Sequence, residues 1–330
     1  MKKKILVIYT GGTIGMVKDA SGSYVPFSLE NILQYVPQLN KTGVDLTIYS
    51  FEKLLDSAYV GPAEWLEISK KISNNYNDFS AFVILHGTDT MAYTASALSF
   101  LLNGLDKPVI LTGSQIPINE EGTDGIDNFL NALSIAKEGL VNKVAIWFHQ
   151  TLFNGCSVTK INSKEFDGFD SPNHEVLASL DSGFKYNKNA FYFKKTDKVF
   201  FDKIGSKVLF LNIYPAADQA EQASIIKNSL SRGIVISVLG SGTVPFKEGD
   251  VLFNALNDKN VPIIAVSQCL KGGIEVGKYE AGSVLKKLNV ISGQKITKEA
   301  ALTKLIVALS NFDSKEKVLF YLKTNQQGEF

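Results

Sequence analysis

The 330-residue chain contains little cysteine, little histidine and no excess of either charge. Its two cysteines, Cys156 and Cys269, are too few for the disulfide framework of a small secreted scaffold. The three histidines occur without an H-E-x-x-H motif or paired cysteines, so we expect no catalytic metal. With 34 basic and 33 acidic side chains, the net charge of +1 creates no field that would gather nucleic acid or an anionic membrane. A small neutral or zwitterionic ligand suits this balance better.

The sequence also lacks a run of 18 apolar residues, so it predicts no membrane span. Its first residues resemble a signal peptide, because three lysines precede the apolar residues 5–9. Five apolar residues are fewer than the roughly 7 to 15 of a signal peptide's core. We therefore interpret residues 4–10 as the first strand of a sheet, and we expect a cytoplasmic protein.

Strand-like and helix-like segments alternate along the chain and predict two α/β domains, which fits its length. The predicted strands cover residues 4–10, 44–51, 81–85, 108–115, 143–148, 208–213, 234–239 and 262–266. The predicted helices cover residues 29–36, 63–75, 91–102, 124–137, 218–230, 250–256 and 298–309. The pattern loosens near residue 184. We predict an N-terminal catalytic domain over residues 1–187, a linker over 188–206 and a smaller C-terminal parallel domain over 207–330.

The most informative stretch is residues 81–95, where a continuous apolar strand runs into a polar turn. Such a strand is typical of a parallel sheet buried on both faces. Gly87 permits the turn, and Thr88 and Asp89 follow it at the start of a helix. Ligands of open α/β sheets bind at the carboxyl ends of strands, so these two residues are candidates for the site. The alternative is that one of them only caps the helix.

Residues 10–15 (TGGTIG) follow the first strand, with glycines on both sides of Thr13. They form either a turn that cradles phosphate or a loop that holds the Thr13 hydroxyl over a pocket. Their spacing fits neither G-x-G-x-x-G nor a P-loop. Residues 16–26 show no periodicity and predict a mobile loop or lid that carries Tyr24. The alternative for Tyr24 is an ordinary surface aromatic.

Further polar residues follow other predicted strands. Asp56 and Ser57 lie on a loop before the helix that Pro62 begins, and Lys160 is expected near the same sheet. A hydroxyl nucleophile needs a base or a proton relay, which Lys160 near Asp89 would favour.

Ser114 and His86 form a second candidate pair, as in a serine hydrolase. The sequence has no G-x-S-x-G elbow, however, and a histidine inside an apolar strand more often packs and makes one structural hydrogen bond.

Two motifs, residues 10–15 and residues 86–93 (HGTDTMAY), resemble the signatures of the bacterial-type asparaginase and glutaminase-asparaginase family. They occur in order, about 75 residues apart, and the resemblance runs from residue 4 to about residue 310. Residues 112–117 (TGSQIP), 167–173 (DGFDSPN) and 213–215 (IYP) also agree with the family. The sequence of residues 83–100 is most similar to the cytoplasmic type I branch of this family.

The resemblance implies hydrolysis of L-asparagine to L-aspartate and ammonia, without a metal or a cofactor. It implies that Thr13 is the nucleophile that forms an acyl-enzyme and that Tyr24 supports it. Thr88, polarised by Lys160 and Asp89, would form a second threonine centre. The implied substrate-binding set comprises Asp56, Ser57, Ala58, Thr88, Asp89 and Gln115. In this set Asp89 holds the α-ammonium group, while Ser57 and its neighbours hold the α-carboxylate.

The family's fold has a larger N-terminal domain with a mixed sheet and a smaller, Rossmann-like C-terminal domain. Its active sites lie between the subunits of an intimate dimer, so the resemblance implies a homo-oligomer, a dimer or a homotetramer. Type I enzymes can also have an allosteric asparagine site with an arginine after the strand that matches residues 234–239. This chain matches that site at Thr159 and Cys269 but has no such arginine, which predicts weak or absent cooperativity.

Three alternatives remain open from the sequence. One is a glutaminase-asparaginase of mixed specificity, and another is the serine hydrolase that uses Ser114 and His86. The third is a non-catalytic module whose two domains close on asparagine.

Overall fold

A computed structural model describes residues 2–19, 21–26, 33–191, 197–275 and 280–330. The chain forms two compact units, Met1–Asp202 and Lys203–Phe330. The limits of the linker predicted over residues 188–206 stay a prediction. Residues 27–32, which contain the first half of the helix predicted over 29–36, lie outside the described residues.

The N-terminal unit is built on a mixed sheet. In chain order its strands are β1 (Lys4–Gly11), β2 (Met16–Lys18), β3 (Tyr24–Pro26), β4 (Asp45–Leu55), β5 (Ala81–Leu85), β6 (Leu102–Asn103), β7 (Val109–Thr112), β8 (Val144–Phe148), β9 (Thr151–Asn154), β10 (Thr159–Lys160), β11 (Phe169–Asp170), β12 (Ala178–Leu180), β13 (Phe184–Tyr186) and β14 (Val199–Phe200). Eight of them form one sheet in the order β13-β12-β9-β8-β7-β5-β1-β4. Strands β4, β1, β5, β7 and β8 run parallel, and β9, β12 and β13 continue the sheet with antiparallel pairing.

Helices cover both faces of this sheet, which explains why its central strands have no polar alternation. The described helices of this unit are α1 (Pro62–Asn74), α2 (Met91–Leu101) and α3 (Gly125–Glu138). Successive residues of β5 point to opposite faces: Val83 packs in the cluster that includes Phe129 of α3, and Ile84 packs in the cluster that includes Ile68 of α1. The strands are therefore held rigidly from both sides, and their carboxyl ends form a fixed platform.

The register aligns the carboxyl ends of the central strands. Tyr9 of β1 lies beside Leu85 of β5, and Leu85 lies beside Thr112 of β7. The loops that follow these three strands therefore begin at the same edge of the sheet. This edge is where we expect the site.

The C-terminal unit has a four-stranded parallel sheet in the order β15 (Val208–Asn212), β16 (Gly233–Val238), β17 (Ile263–Ser267) and β18 (Ile291–Ser292). Its helices are α4 (Gln219–Asn228), α5 (Val251–Lys259), α6 (Glu280–Lys287), α7 (Lys298–Asn311) and α8 (Lys315–Lys323). The predicted fold class, a larger mixed-sheet domain followed by a smaller parallel one, is confirmed. Within the described ranges, no helix has the length and apolarity needed to cross a membrane.

The prediction of a loop over residues 16–26 is wrong in its secondary structure, because both ends of this range form strands. Strands β2 and β3 pair as an antiparallel hairpin, with Lys18 opposite Tyr24. Asp19 stabilises the turn, because its Oδ1 accepts hydrogen bonds from the backbone N–H groups of Ser21 and Ser23, at 2.8 Å and 3.0 Å. Such local carboxylate contacts favour a tight turn over an open loop.

Candidate active site

Three loops meet at the carboxyl edge of the sheet because glycines let their backbones touch. Gly12, after β1, has a φ of +89°, and a Cβ there would lie 2.3 Å from the backbone nitrogen of Gly87. A Cβ on Gly87 would in turn lie 2.7 Å from the Ser57 hydroxyl oxygen. Any larger residue at either position would separate the loops. The two glycines therefore bring Thr13, Ser57 and Thr88 into one neighbourhood.

Thr13 begins a short 3-10 turn, Thr13–Gly15, directly after this contact. The turn is anchored on both sides, since Ile14 is fully buried and the Gly12 N–H donates to the Leu55 carbonyl at 3.1 Å. Thr13 itself is partly buried, and its hydroxyl makes no hydrogen bond to another described residue. The fold thus fixes the backbone of Thr13 while its hydroxyl stays available for chemistry.

Lys160 joins Thr88 and Asp89 into a hydrogen-bonded group. Its Nζ donates to Thr88 Oγ1 at 2.8 Å and to Asp89 Oδ1 at 2.7 Å. Thr88 is buried and 16% of the Lys160 side chain is exposed, whereas Asp89 is 67% exposed. The ammonium group is thus aimed at a buried hydroxyl, and such a charge stabilises negative charge that develops on the oxygen. The remaining surface of Asp89 is open to a cationic group.

The capping alternative for Thr88 and Asp89 is wrong. The residue at the N-cap of α2 is Thr90, and no side chain makes a capping hydrogen bond there. The Thr90 hydroxyl donates instead to the Ser57 carbonyl at 2.6 Å. This role of Thr90 was not predicted from the sequence, although the residue lies inside the second motif. Through this bond Thr90 attaches the Ser57 turn to the start of α2.

The Ser57 turn presents the other predicted binding residues. Ser57 is buried and begins a 3-10 turn, Ser57–Tyr59, while Asp56 and Ala58 are exposed. Asp56 Oδ1 accepts the backbone N–H of Ala58 at 2.9 Å, which fixes the turn. The Ser57 side chain therefore lies against the glycine contact, and Asp56 shapes the turn that presents it.

Gln115 belongs to the segment after β7 and is held from two sides. Its backbone N–H donates to both carboxylate oxygens of Asp124, at 3.0 Å and 3.1 Å, and its side-chain amide donates to the Glu165 carbonyl at 2.8 Å. Burial raises the pKa of Asp124 despite these donors. Asp124 was also missed as a site-building residue, because the sequence indicated only that a helix begins there.

His86 and Ser114 are both buried but are not hydrogen-bonded to each other. His86 Nδ1 lies 2.7 Å from the Gly87 carbonyl and Nε2 lies 2.9 Å from Thr94 Oγ1. The Trp65 indole N–H donates to the same Thr94 oxygen at 3.1 Å. A neutral imidazole satisfies this chain, with Nδ1 as donor and Nε2 as acceptor. His86 thus has a packing role and orients the peptide that precedes Thr88, while Ser114 Oγ has no hydrogen-bond partner in the described structure.

The buried His86 predicts a pH-dependent stability. Burial lowers its pKa from 6.5 to about 4, so the unfolded chain binds the proton first as the pH falls. The neutral histidine contributes about 3 kcal/mol to the free energy of unfolding above pH 6.5. This contribution is lost as the pH falls from 6.5 to 4. Urea unfolding of the wild type and His86→Gln across this range should show the difference in free energy of unfolding shrinking with acidity. A pH-independent difference would contradict the prediction.

Tyr24 is more than a solitary surface aromatic. Its side chain is exposed, and its hydroxyl donates to Glu120 Oε1 at 2.8 Å. No hydrogen bond joins Tyr24 to Thr13 in the described structure. Of the predicted residues, the structure therefore brings Thr13, Ser57 and the Lys160 group together, and it ties Tyr24 and Gln115 to other partners. Among the described residues, no cluster of three or more His, Cys, Asp or Glu side chains could hold a metal ion.

Comparison with known proteins accounts for both halves of the chain. Residues 4–192 match the family described as Asparaginase, N-terminal, and residues 207–320 match the Glutaminase/Asparaginase C-terminal domain. L-asparaginase 1 of Escherichia coli (strain K12) is 36% identical over 338 residues, which cover 99% of this chain and 98% of that protein.

Solved structures agree in fold over the full length. L-asparaginase I from Vibrio cholerae superposes with a TM-score of 0.89 at 34% identity and covers 100% of this chain and 99% of its own. A protein from Campylobacter jejuni described as a probable cytoplasmic L-asparaginase has a TM-score of 0.84 at 25% identity, with 98% of this chain and 100% of its own covered. The resemblance noted in the sequence is confirmed, and the chain belongs to the asparaginase family.

Proposed function

We propose that the protein hydrolyses the side-chain amide of L-asparagine to L-aspartate and ammonia through a threonine acyl-enzyme. The observation that supports this most directly is the contact of Lys160 Nζ with Thr88 Oγ1 and Asp89 Oδ1, beside the loop that carries Thr13. Such a group can move protons and stabilise charge next to a hydroxyl nucleophile. Membership of the asparaginase family supports the same reaction.

In the first step Thr13 Oγ attacks the amide carbon and loses its proton, with Tyr24 in a supporting role. The carbon–nitrogen bond then breaks, the nitrogen takes up a proton, and ammonia leaves an acyl ester on Thr13. Backbone N–H groups near Gly12 and Thr88 donate hydrogen bonds to the negatively charged carbonyl oxygen. Each donor stabilises the transition state by about 3 kcal/mol.

In the second step water hydrolyses the ester. Thr88, polarised by Lys160 and Asp89, directs the proton transfers of this step. The added water supplies the hydroxyl of the new carboxylic acid, and its other proton returns to Thr13 Oγ. The reaction consumes one water and needs no redox change.

Binding of the amino-acid end relies on charge. Asp89 contacts Lys160 with Oδ1 and is 67% exposed, so it retains surface for the substrate α-ammonium. Ser57, with Asp56 and Ala58 beside it, holds the α-carboxylate. Gln115 and Thr88 complete the pocket. A zwitterionic substrate is consistent with the neutral balance of charge in the whole chain.

Coupled ammonia assays on L-asparagine and L-glutamine over a wide concentration range test this function. Release from asparagine supports it, and comparable rates on both substrates would favour the mixed-specificity alternative. The two substrates differ by one methylene, which is worth about 1 to 3 kcal/mol in a pocket. Binding of asparagine without ammonia release would overturn the proposal in favour of the binding module.

We further propose a cytoplasmic homo-oligomer, either a dimer or a dimer of dimers. The support is the family resemblance, which puts C-terminal residues of one subunit into the site of its neighbour, and the Campylobacter jejuni relative described as cytoplasmic. Sedimentation of the active protein tests the assembly, because a fully active monomer would contradict it.

The missing arginine after strand β16 predicts a Hill coefficient close to one for asparagine. Residues 239–243 (LGSGT) provide no guanidinium for bidentate binding of an effector carboxylate. Steady-state rates over a wide range of asparagine concentrations measure this coefficient. A value well above one would show that another residue takes the place of the arginine.

A further inference from the structure

Glu120 holds two side chains of the hairpin that carries Tyr24. The Tyr24 hydroxyl donates to Glu120 Oε1 at 2.8 Å, and Lys18 Nζ lies 3.0 Å from the same oxygen. Lys18 and Tyr24 are cross-strand partners in the hairpin, and Lys18 Nζ lies 5.1 Å from the centre of the Tyr24 ring. One carboxylate oxygen therefore fastens both strands of the hairpin at the same register position.

The segment that carries Glu120 is itself well anchored. The Glu120 N–H donates to the Pro117 carbonyl at 3.0 Å, and the Ile116 N–H donates to Asp124 Oδ1 at 3.1 Å. Asp124 leads into α3, which packs against the sheet. Glu120 is thus a fixed point to which the hairpin attaches.

The same segment also contacts the turn of the proposed nucleophile. The Ile118 N–H donates to the Ile14 carbonyl at 3.2 Å, one residue after Thr13. Two residues after Ile118, Glu120 accepts the hydrogen bond from the Tyr24 hydroxyl. Residues 116–124 therefore hold both the Thr13 turn and the Tyr24 hairpin, and they set how one lies relative to the other.

Charge favours this attachment. The hydrogen bonds from Tyr24 and Lys18 lower the pKa of Glu120, and the hydrogen bond to Glu120 raises the pKa of Lys18, so both groups are charged near neutral pH. The phenol donates its one O–H hydrogen bond to this carboxylate. The contact is partly exposed, so it is weak enough to open and reform.

We propose that Glu120 is a positioning residue for Tyr24, holding its phenol where it supports turnover. The role rests on the proposed function, because it acts through the part that Tyr24 plays there. Lys18 reinforces the hold by binding the same carboxylate oxygen. The attached hairpin is the state that is competent for turnover.

Kinetics of Glu120→Ala test this role. We expect kcat for asparagine to fall by about threefold to tenfold with a smaller change in KM, because the fraction of enzyme with Tyr24 in place falls. Glu120→Gln should recover part of the loss, since the amide oxygen of glutamine can still accept a hydrogen bond from the phenol. The matched control is Glu121→Ala, an exposed glutamate next in the chain, which should leave kcat unchanged.

A double-mutant cycle separates positioning from a general structural effect. In a Tyr24→Phe background, Glu120→Ala should lower kcat little further, because the hydroxyl that it positions is gone. An equal loss in both backgrounds would overturn the proposal. So would unchanged kinetics in Glu120→Ala.

Hydrogen exchange tests the attachment without relying on activity. The amides of residues 16–18, 24 and 25 should exchange about twofold to fivefold faster in Glu120→Ala than in the wild type or Glu121→Ala. If the wild type released no ammonia from asparagine, the proposed function would fail while this measurement still reported on the hairpin. Unchanged exchange in Glu120→Ala would overturn the attachment itself.

Discussion

Replacing Thr13 with alanine should lower ammonia release from L-asparagine by about 10⁴-fold or more while asparagine still binds. The variant loses the only oxygen that the proposed acyl-enzyme uses. Ser57, Asp56 and Asp89 remain to hold the amino-acid end, and none of them makes a hydrogen bond to Thr13 in the described structure. Single-turnover assays measure the loss of chemistry, and calorimetry with asparagine measures the retained affinity.

Thr13→Ser is the matched control, since it keeps the hydroxyl and removes only a methyl group. It should retain measurable turnover, whereas Thr13→Ala should not. The Thr13 hydroxyl has no hydrogen-bond partner among the described residues, so neither change breaks a hydrogen bond between them. An alanine variant that released ammonia at a near wild-type rate would remove Thr13 from its role and return Ser114 with His86 to consideration.

Local sequence patterns predicted the strands that end at the site because burial on both faces leaves a direct trace. The apolar run 81–85 coincides with β5, and the glycines at 11, 12 and 87 mark the turns that follow. The packing role of His86 was also predictable, since it continues an apolar strand. These features depend on neighbours in sequence, which periodicity and turn residues reveal.

Contacts between distant residues could not be predicted in the same way. Lys160 lies 71 residues after Asp89, and no periodicity pairs them; their contact was a hypothesis about the proton relay that the family resemblance also implied. The bond from Tyr24 to Glu120 joins two exposed polar segments 96 residues apart, and neither carries a pattern. The antiparallel strands β9, β12 and β13 were also missed, because runs of three or four residues are too short for alternation to be distinguished from loop sequence.

Replacing Lys160 with methionine should lower turnover of asparagine by about 10²- to 10⁴-fold. Methionine preserves most of the stem's packing but removes the ammonium that contacts Thr88 Oγ1 and Asp89 Oδ1. Thr88 loses its polariser, and Asp89 loses the cation that balances its charge, so asparagine affinity should shift as well. Steady-state kinetics and calorimetry measure the two effects separately.

Two further variants isolate the catalytic contribution of this lysine. Lys164→Met removes an exposed lysine from the same stretch of chain and should leave turnover unchanged. The buried Thr88 hydroxyl loses the hydrogen bond from Lys160 in Lys160→Met, which costs about 1 to 3 kcal/mol, so urea unfolding must show that the variant is still folded. Because residues that act as one unit are not additive, Lys160→Met combined with Thr13→Ala should be hardly slower than Thr13→Ala alone. A further loss of the full 10²-fold or more in the double variant would instead place Lys160 in a process separate from the chemistry of Thr13.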